Sequence, residues 1–246
     1  MFVKRVTFSV VDETLVGNII REDEVDVPSV LFLHGGGEST KERTEYLAVK
    51  LANKGFPSLS FDFSGHGESS GTLANSSLKK RIKEAEAAMQ FLAKDKPITV
   101  IGSSMGAYIA LELLKDFDIQ NVTLFCPAIY DRKAVDMKFG GGFTETIRKK
   151  DSWKNSDIFI PLERYKGSLL VIIGTNDEVI PEGVIEILDK NSQNVKRKEI
   201  VKIPNCPHKI HSFLYFYEKL ANKVTDKIIE FISQRRIPRS LLRGSS

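Results

Sequence analysis

The chain has 246 residues, 41% of them hydrophobic and 28% charged, with a formal charge of +4. This is enough chain for one sizeable core and the composition is unremarkable, so a single globular α/β domain over residues 1–246 is the expectation and no second domain is needed. Basic residues are interleaved with acidic ones, which argues against a nucleic-acid surface, and no segment approaches the ~18 apolar residues of a membrane span.

In chain order, residues 2–21 alternate like a strand hairpin, and Val30–Leu33 reads as a buried strand that runs into His34-Gly35-Gly36-Gly37. A helix is expected from Thr40 to Lys54, stopped by Gly55, followed by a strand at Ser58–Phe61 and the loop Asp62–Ser69. A second helix, Ser77–Lys94, carries Ile82, Ala85, Met89 and Leu92 on one face. Its run from Lys79 to Glu86 reads as a solvated face. The strand Ile98–Ile101 leads into Gly102-Ser103-Ser104-Met105-Gly106 and a helix, and Val122–Phe125 is the next strand.

Residues 129–166 then separate two strands and hold Tyr130, Met137, Phe139, three glycines at 140–142, Phe143 and Trp153. They are expected to form a lid insertion, and an ordinary insertion with its aromatics facing the core is the alternative. Strands at Leu169–Ile173 and Glu199–Ile203 follow, the latter leading into the loop Pro204–Pro207. One last helix is striped by Phe213, Phe216, Leu220, Val224, Ile228 and Phe231. Strands alternating with helices predict a mostly parallel sheet covered on both faces. Arg235, Arg236, Arg239 and Arg243 read as a frayed basic tail. Cys126 and Cys206 give neither a disulfide framework nor metal-ligand spacing, and no apolar signal core opens the chain, so a cytoplasmic protein is expected.

The chemistry centres on Ser104. A G-x-S-x-G between a buried strand and a helix is a nucleophile elbow: the glycines remove Cβ atoms that would block the turn, and the hydroxyl is pushed out at the carboxyl end of the sheet. Acyl transfer from a serine also needs a base, a group that orients the base, and N–H donors for the oxyanion. The loop His34–Gly37 lies after a strand of the same sheet and can supply donors together with the N–H of Met105. Asp177, just past the strand Leu169–Ile173, is the expected acid; Asp131 and the adjacent Glu178 are the other carboxylates at that edge. Of four histidines, His34 belongs to the oxyanion loop and His66 to the loop after Phe61. That leaves His208 and His211; His208 is the preferred base because Pro204–Pro207 reads as a loop that could deliver it, and His211, expected on the last helix, is the alternative.

With these motifs the sequence resembles the α/β-hydrolases of the serine esterase and serine aminopeptidase type, and is similar to bacterial cinnamoyl and feruloyl esterases. The resemblance spans nearly the whole chain and rests on His34-Gly35-Gly36, the run from Asp62 to Ser69 matching D-x-x-G-H-G-x-S, the Ser104 elbow, Gly174–Pro181, and the late His208. It implies an eight-stranded α/β-hydrolase fold, a Ser104–His208–Asp177 triad, Gly36 and Met105 as oxyanion donors, no metal or cofactor, and a lid that selects the acyl group. The chain departs from the family pattern at Cys206-Pro207, where a glycine usually precedes the histidine, and at Ser103, where a histidine is frequent. The implied activity is hydrolysis of small or aromatic acyl esters by a carboxylesterase, with a small-molecule ester as partner and a homodimer left open. A peptidase or acyltransferase using the same triad is the alternative, and a non-catalytic receptor on a hydrolase scaffold is the alternative of another class.

Overall fold

The structure, a computed structural model, describes residues 1–233; the basic stretch Arg235 to Arg243 lies outside them. Eight strands form one sheet: β1 (Phe2–Val10), β2 (Glu13–Arg21), β3 (Val30–Leu33), β4 (Ser58–Phe61), β5 (Thr99–Ser103), β6 (Asn121–Phe125), β7 (Ser168–Asn176) and β8 (Arg197–Pro207). Their order in the sheet is β1-β2-β4-β3-β5-β6-β7-β8. The β1–β2 and β2–β4 pairs are antiparallel and every pair from β4 to β8 is parallel.

The short central strands are buried on both faces because successive side chains enter two different cores. Leu31, Leu33, Val100, Leu124, Leu169 and Val171 belong to one; Val30, Phe32, Ile101, Phe125, Leu170 and Ile172 belong to the other. Helices α2 (Leu78–Met89) and α3 (Met105–Glu112), with residues of α5 (Phe159–Arg164) and α6 (Glu182–Asn191), close the first core. Helices α1 (Glu45–Ala52), α7 (Ile210–Phe216) and α8 (Glu218–Ile232) close the second. Among the described residues no helix is long and apolar enough to cross a membrane.

Three expectations need correction. The last helix is two: Tyr217 leaves helical geometry at φ −119°, ψ 73°, so Phe216 falls outside the packed stripe and is 79% exposed. The run Pro204–Pro207 is not a loop but the end of β8, which tolerates both prolines because β8 is the edge strand of the sheet. The polar run on α2 is not uniformly solvated: Arg81 and Glu84, one turn apart, are both fully buried.

Residues 129–166 hold α4 (Phe143–Ile147), α5 and short 3₁₀ turns. Their aromatics face the core: Tyr130 and Phe143 are buried, Tyr130 packs edge-on against Tyr108, and Phe139 against Phe143.

Candidate active site

The elbow is built by close approach. A Cβ at Gly106 would stand 2.1 Å from the Leu33 carbonyl oxygen, and one at Gly102 would stand 2.3 Å from the Gly106 oxygen, so α3 docks on β3 and β5 only with glycine at both places. Ser104 between them has φ 51° and ψ −111°, a conformation non-glycine residues rarely adopt, and its N–H donates to the Phe125 carbonyl at 2.8 Å. The surrounding structure holds this strain in place, with the Ala107 and Ala128 N–H groups both donating to the Ser104 carbonyl.

Asp177 and His208 arrive together because the β7–β8 ladder runs to its last pair, Asn176 opposite Pro207, so the next residue of each strand emerges side by side. His208 Nδ1 lies 2.9 Å from Asp177 Oδ2, and His208 Nε2 lies 3.1 Å from Ser104 Oγ. The other Asp177 oxygen accepts the N–H groups of Val179 at 2.8 Å and Ile180 at 3.0 Å. Burial raises the Asp177 carboxyl, but these hydrogen bonds and the nearby imidazole outweigh it and hold the group below the usual range.

The other carboxylates go elsewhere. Asp131 caps a turn, accepting from the Lys133 N–H and the Asn155 side chain, and Glu178 is exposed.

His211, the alternative base, bonds the neighbouring serine instead: its Nε2 is 2.6 Å from Ser103 Oγ and its Nδ1 is 3.2 Å from the Tyr46 hydroxyl. It is buried against the Phe125 ring, and burial, with Arg43 nearby, pulls its pKa down to about 4. Ser103, where the family pattern has a histidine, thus receives an imidazole from α7.

The loop after β3 lies against the elbow, with a Gly35 Cβ placed 3.5 Å from Ser104 Cβ and a Gly36 Cβ 2.9 Å from Met105 Cε. Two histidines pin its ends. The Phe63 N–H donates to His34 Nε2 at 3.0 Å, which leaves His34 Nδ1–H to donate to the Gly35 carbonyl at 2.7 Å. Arg81, which has no acceptor, donates to His66 Nε2 at 2.6 Å, so His66 Nδ1–H points to the Ser39 carbonyl at 2.8 Å. The Arg81 guanidinium lies over the Phe63 and Phe139 rings, at 4.9 and 5.0 Å. Sequence reading missed this arginine because it sits inside a run of exposed charges.

Two groups of three metal-capable donors come together among the described residues. Glu42, Asp62 and Glu68 surround the Lys41 ammonium, which reaches them at 2.9, 2.6 and 2.7 Å and already supplies the positive charge. Cys126 with Asp177 and His208 is the other, but Asp177 and His208 are bonded to each other, and burial pushes the Cys126 thiol up, away from the thiolate a metal would need. Cys126 and Cys206 are both free and buried.

In front of Ser104 is a cleft of about 340 Å³, walled by the 35–39 loop, Ser103, Phe125, Cys126 and the segment 208–212; no residue of 129–166 lines it. A larger cavity of about 790 Å³ lies at the opposite, amino edge of β6 and β7, with no histidine in its wall.

A mostly parallel eight-stranded sheet with a strained serine between β5 and α3 defines an α/β-hydrolase fold. Residues 27–153 match the family described as "Serine aminopeptidase, S33", and the chain belongs to that family. Among solved structures, Est1E of Butyrivibrio proteoclasticus, with ferulic acid bound, has a TM-score of 0.72 at 19% identity, covering 93% of this chain and 100% of its own. An esterase of Pyrococcus furiosus has a TM-score of 0.68 at 23% identity, covering 94% and 92%. Curated relatives match over shorter stretches. The multifunctional-autoprocessing repeats-in-toxin of Vibrio cholerae is 32% identical over 129 residues, 49% of this chain and 3% of the toxin. The proline iminopeptidase PfmaB of Pestalotiopsis fici is 28% identical over 86 residues, 35% of this chain and 30% of that enzyme. The chain therefore spans well under half the length of the curated relatives it matches.

Proposed function

We propose that the protein is a serine carboxylesterase in which Ser104 is the nucleophile, His208 the general base and then acid, Asp177 the group that orients His208, and the N–H groups of Gly36 and Met105 the oxyanion donors. The observation that carries the reading is the continuous chain Asp177 Oδ2, His208 Nδ1, His208 Nε2, Ser104 Oγ at 2.9 and 3.1 Å. Asp177 accepts the proton on Nδ1, leaving the Nε2 lone pair facing the hydroxyl. His208 Nε2 takes the serine proton as Oγ attacks the ester carbonyl, and the resulting imidazolium is stabilised by the carboxylate. The same proton passes to the departing alcohol, and water, activated by His208, then releases the acid from acyl-Ser104.

Small or aromatic esters are the proposed substrates, supported by the modest cleft and by the fold's likeness to esterases, one of them holding ferulic acid. No metal or cofactor has a step in this mechanism. Residues 129–166 line no part of the cleft, so their proposed role at the site is indirect: Phe139 packs under Arg81, which holds His66 against the Ser39 carbonyl of the oxyanion loop. Free buried thiols are consistent with the proposed cytoplasmic setting.

The test is hydrolysis of p-nitrophenyl acetate and covalent labelling by a fluorophosphonate. Both are expected of the parent protein and lost in Ser104→Ala, and failure of both in the parent refutes the reading. The iminopeptidase relative favours amide hydrolysis as the second reading, which a panel of aminoacyl amides separates from the first.

A further inference from the structure

The end of α7 and the residue after it turn three large aromatic side chains to solvent: Tyr215 is 70%, Phe216 79% and Tyr217 55% exposed. Contiguous apolar surface of this kind usually marks a binding function. Between α7 and α1 runs a groove of about 600 Å³ whose wall includes Tyr46, Val49, Tyr215 and Phe216. It adjoins the candidate active site: Arg43, His211 and Ser212 line both this groove and the cleft of Ser104, and form the wall between the two.

The shared wall is suited to an apolar group passing over it. His211 is buried, satisfied by Ser103 and Tyr46, and uncharged at neutral pH. Arg43 is held by its Nη1–H donating to Ser212 Oγ at 2.6 Å. An arginine so tethered can present its apolar stem to a passing chain while its charge stays in water. The cleft alone, at about 340 Å³, is near the lower limit of the ~300–1,000 Å³ typical of ligand sites.

We propose that the α1–α7 groove is a subsite for a long apolar arm, alkyl or aryl, of the ester whose carbonyl is attacked by Ser104. The arm leaves the cleft across the Arg43–Ser212 pair and lies on Tyr215 and Phe216. The inference rests on the serine-hydrolase reading and narrows its substrate class to esters with one extended apolar arm.

Two series test it, one for each arm of the ester: p-nitrophenyl esters from acetate to decanoate, and acetates of alcohols from ethanol to decanol. In one of the two, kcat/KM is expected to climb by up to about fourfold for each methylene that reaches the groove. In that series the Tyr215→Ser/Phe216→Ser double variant lowers the ratio of kcat/KM for the ten-carbon substrate to that for the shortest by about tenfold. Val25→Ser removes an equally exposed apolar side chain before β3 and leaves the ratio unchanged.

A gain in either series that the double variant abolishes supports the subsite and shows which arm it takes. If the parent turns over p-nitrophenyl acetate but both profiles are flat, or the double variant keeps the slope, the subsite is overturned while the hydrolase reading stands. Self-association through α7, or binding to phosphatidylcholine vesicles, with flat profiles has the same consequence. If p-nitrophenyl acetate is not hydrolysed and the fluorophosphonate does not label Ser104, the underlying reading has failed.

Discussion

Replacing Asp177 by asparagine tests the proposed mechanism at the point where the structure dictates the outcome. The carboxylate has two different faces: one oxygen accepts two backbone N–H groups, from Val179 and Ile180, and the other accepts from His208 Nδ1. In Asp177→Asn the carbonyl oxygen must stay on the backbone side, because an amide nitrogen there would confront two donors. The NH₂ group then faces Nδ1 and donates to it, which moves the imidazole proton to Nε2. That nitrogen, 3.1 Å from Ser104 Oγ, becomes a donor and can no longer take the serine proton. Serine-triad enzymes with the tautomer reversed in this way lose roughly 10⁴ in kcat, about 5.5 kcal/mol of transition-state stabilisation. Asp177→Ala removes the orienting acceptor without imposing a tautomer, so its deficit does not exceed that of the amide. Steady-state kinetics on p-nitrophenyl acetate near neutral pH, with thermal melts to establish folding, give both numbers. A folded Asp177→Asn protein with kcat within tenfold of the parent would refute the assignment of the acid.

Acid sensitivity follows from the other three imidazoles. His34, His66 and His211 are all held below the usual histidine range, first by burial, so the unfolded chain binds protons that the folded chain refuses. Their contribution to stability is complete above about pH 6.5 and is lost as pH falls, for His211 down to about 4. Denaturant titrations should show stability declining across that window, with a shallower decline in His211→Asn; an unchanged slope would mean that His211 is not the group responsible.

Lys41→Met leaves the buried Asp62 carboxylate without its cation and should destabilise by roughly 3–5 kcal/mol, read as a lower thermal midpoint. Adding Asp62→Asn removes the uncompensated charge and keeps one acceptor oxygen, enough for the residue-41 N–H or the Glu68 N–H but not both, so it should recover part of the loss; no recovery would place the effect in packing and hydrogen bonding rather than charge. The Lys41 ammonium opposes its own burial with bonds to Asp62, Glu68 and Glu42 and is raised overall. Its contribution is therefore whole at neutral pH and fades only as pH rises through the raised folded value. Gly106→Ala drives a Cβ to 2.1 Å from a backbone oxygen and should abolish either folding or activity, whereas Gly36→Ala meets only the flexible end of Met105 at 2.9 Å and should melt like the parent.

The fold was legible where one local rule decided it. Runs of four residues that follow a proline and lead into a glycine-bearing loop are too short for a helix and read as buried strands, and Val30–Leu33 and Ser58–Phe61 fall where the pattern puts them. The pattern failed where tertiary context overrode it. Pro204 and Pro207 look like loop residues until the strand is known to be an edge. Phe213 to Phe231 keeps helical spacing through a break at Tyr217 that the spacing cannot register. Arg81 and Glu84 sit in a run of charges that looks solvated, yet their three-residue spacing puts both on the inward face of α2 beside Leu78, Ala85 and Ala88.

The candidate site was legible for a related reason: Ser104, Asp177 and His208 each follow a strand of one sheet, so chain order alone brings them to the same rim. Choosing between two late histidines required the register of β8. Because that strand continues to Pro207, opposite Asn176, His208 emerges beside Asp177 while His211 is carried one turn into α7 and over Ser103. The remaining imidazoles are each committed to neighbours: His34 to Gly35 and Phe63, His66 to Ser39 and Arg81, His211 to Ser103 and Tyr46. Burial suppresses their protonation, at His34 and His66 in spite of the carbonyls they donate to, and this is unsuited to a base that must gain a proton in each turnover. His208 alone is half-exposed and has one nitrogen on a carboxylate and the other on the elbow serine, the arrangement proton transfer requires.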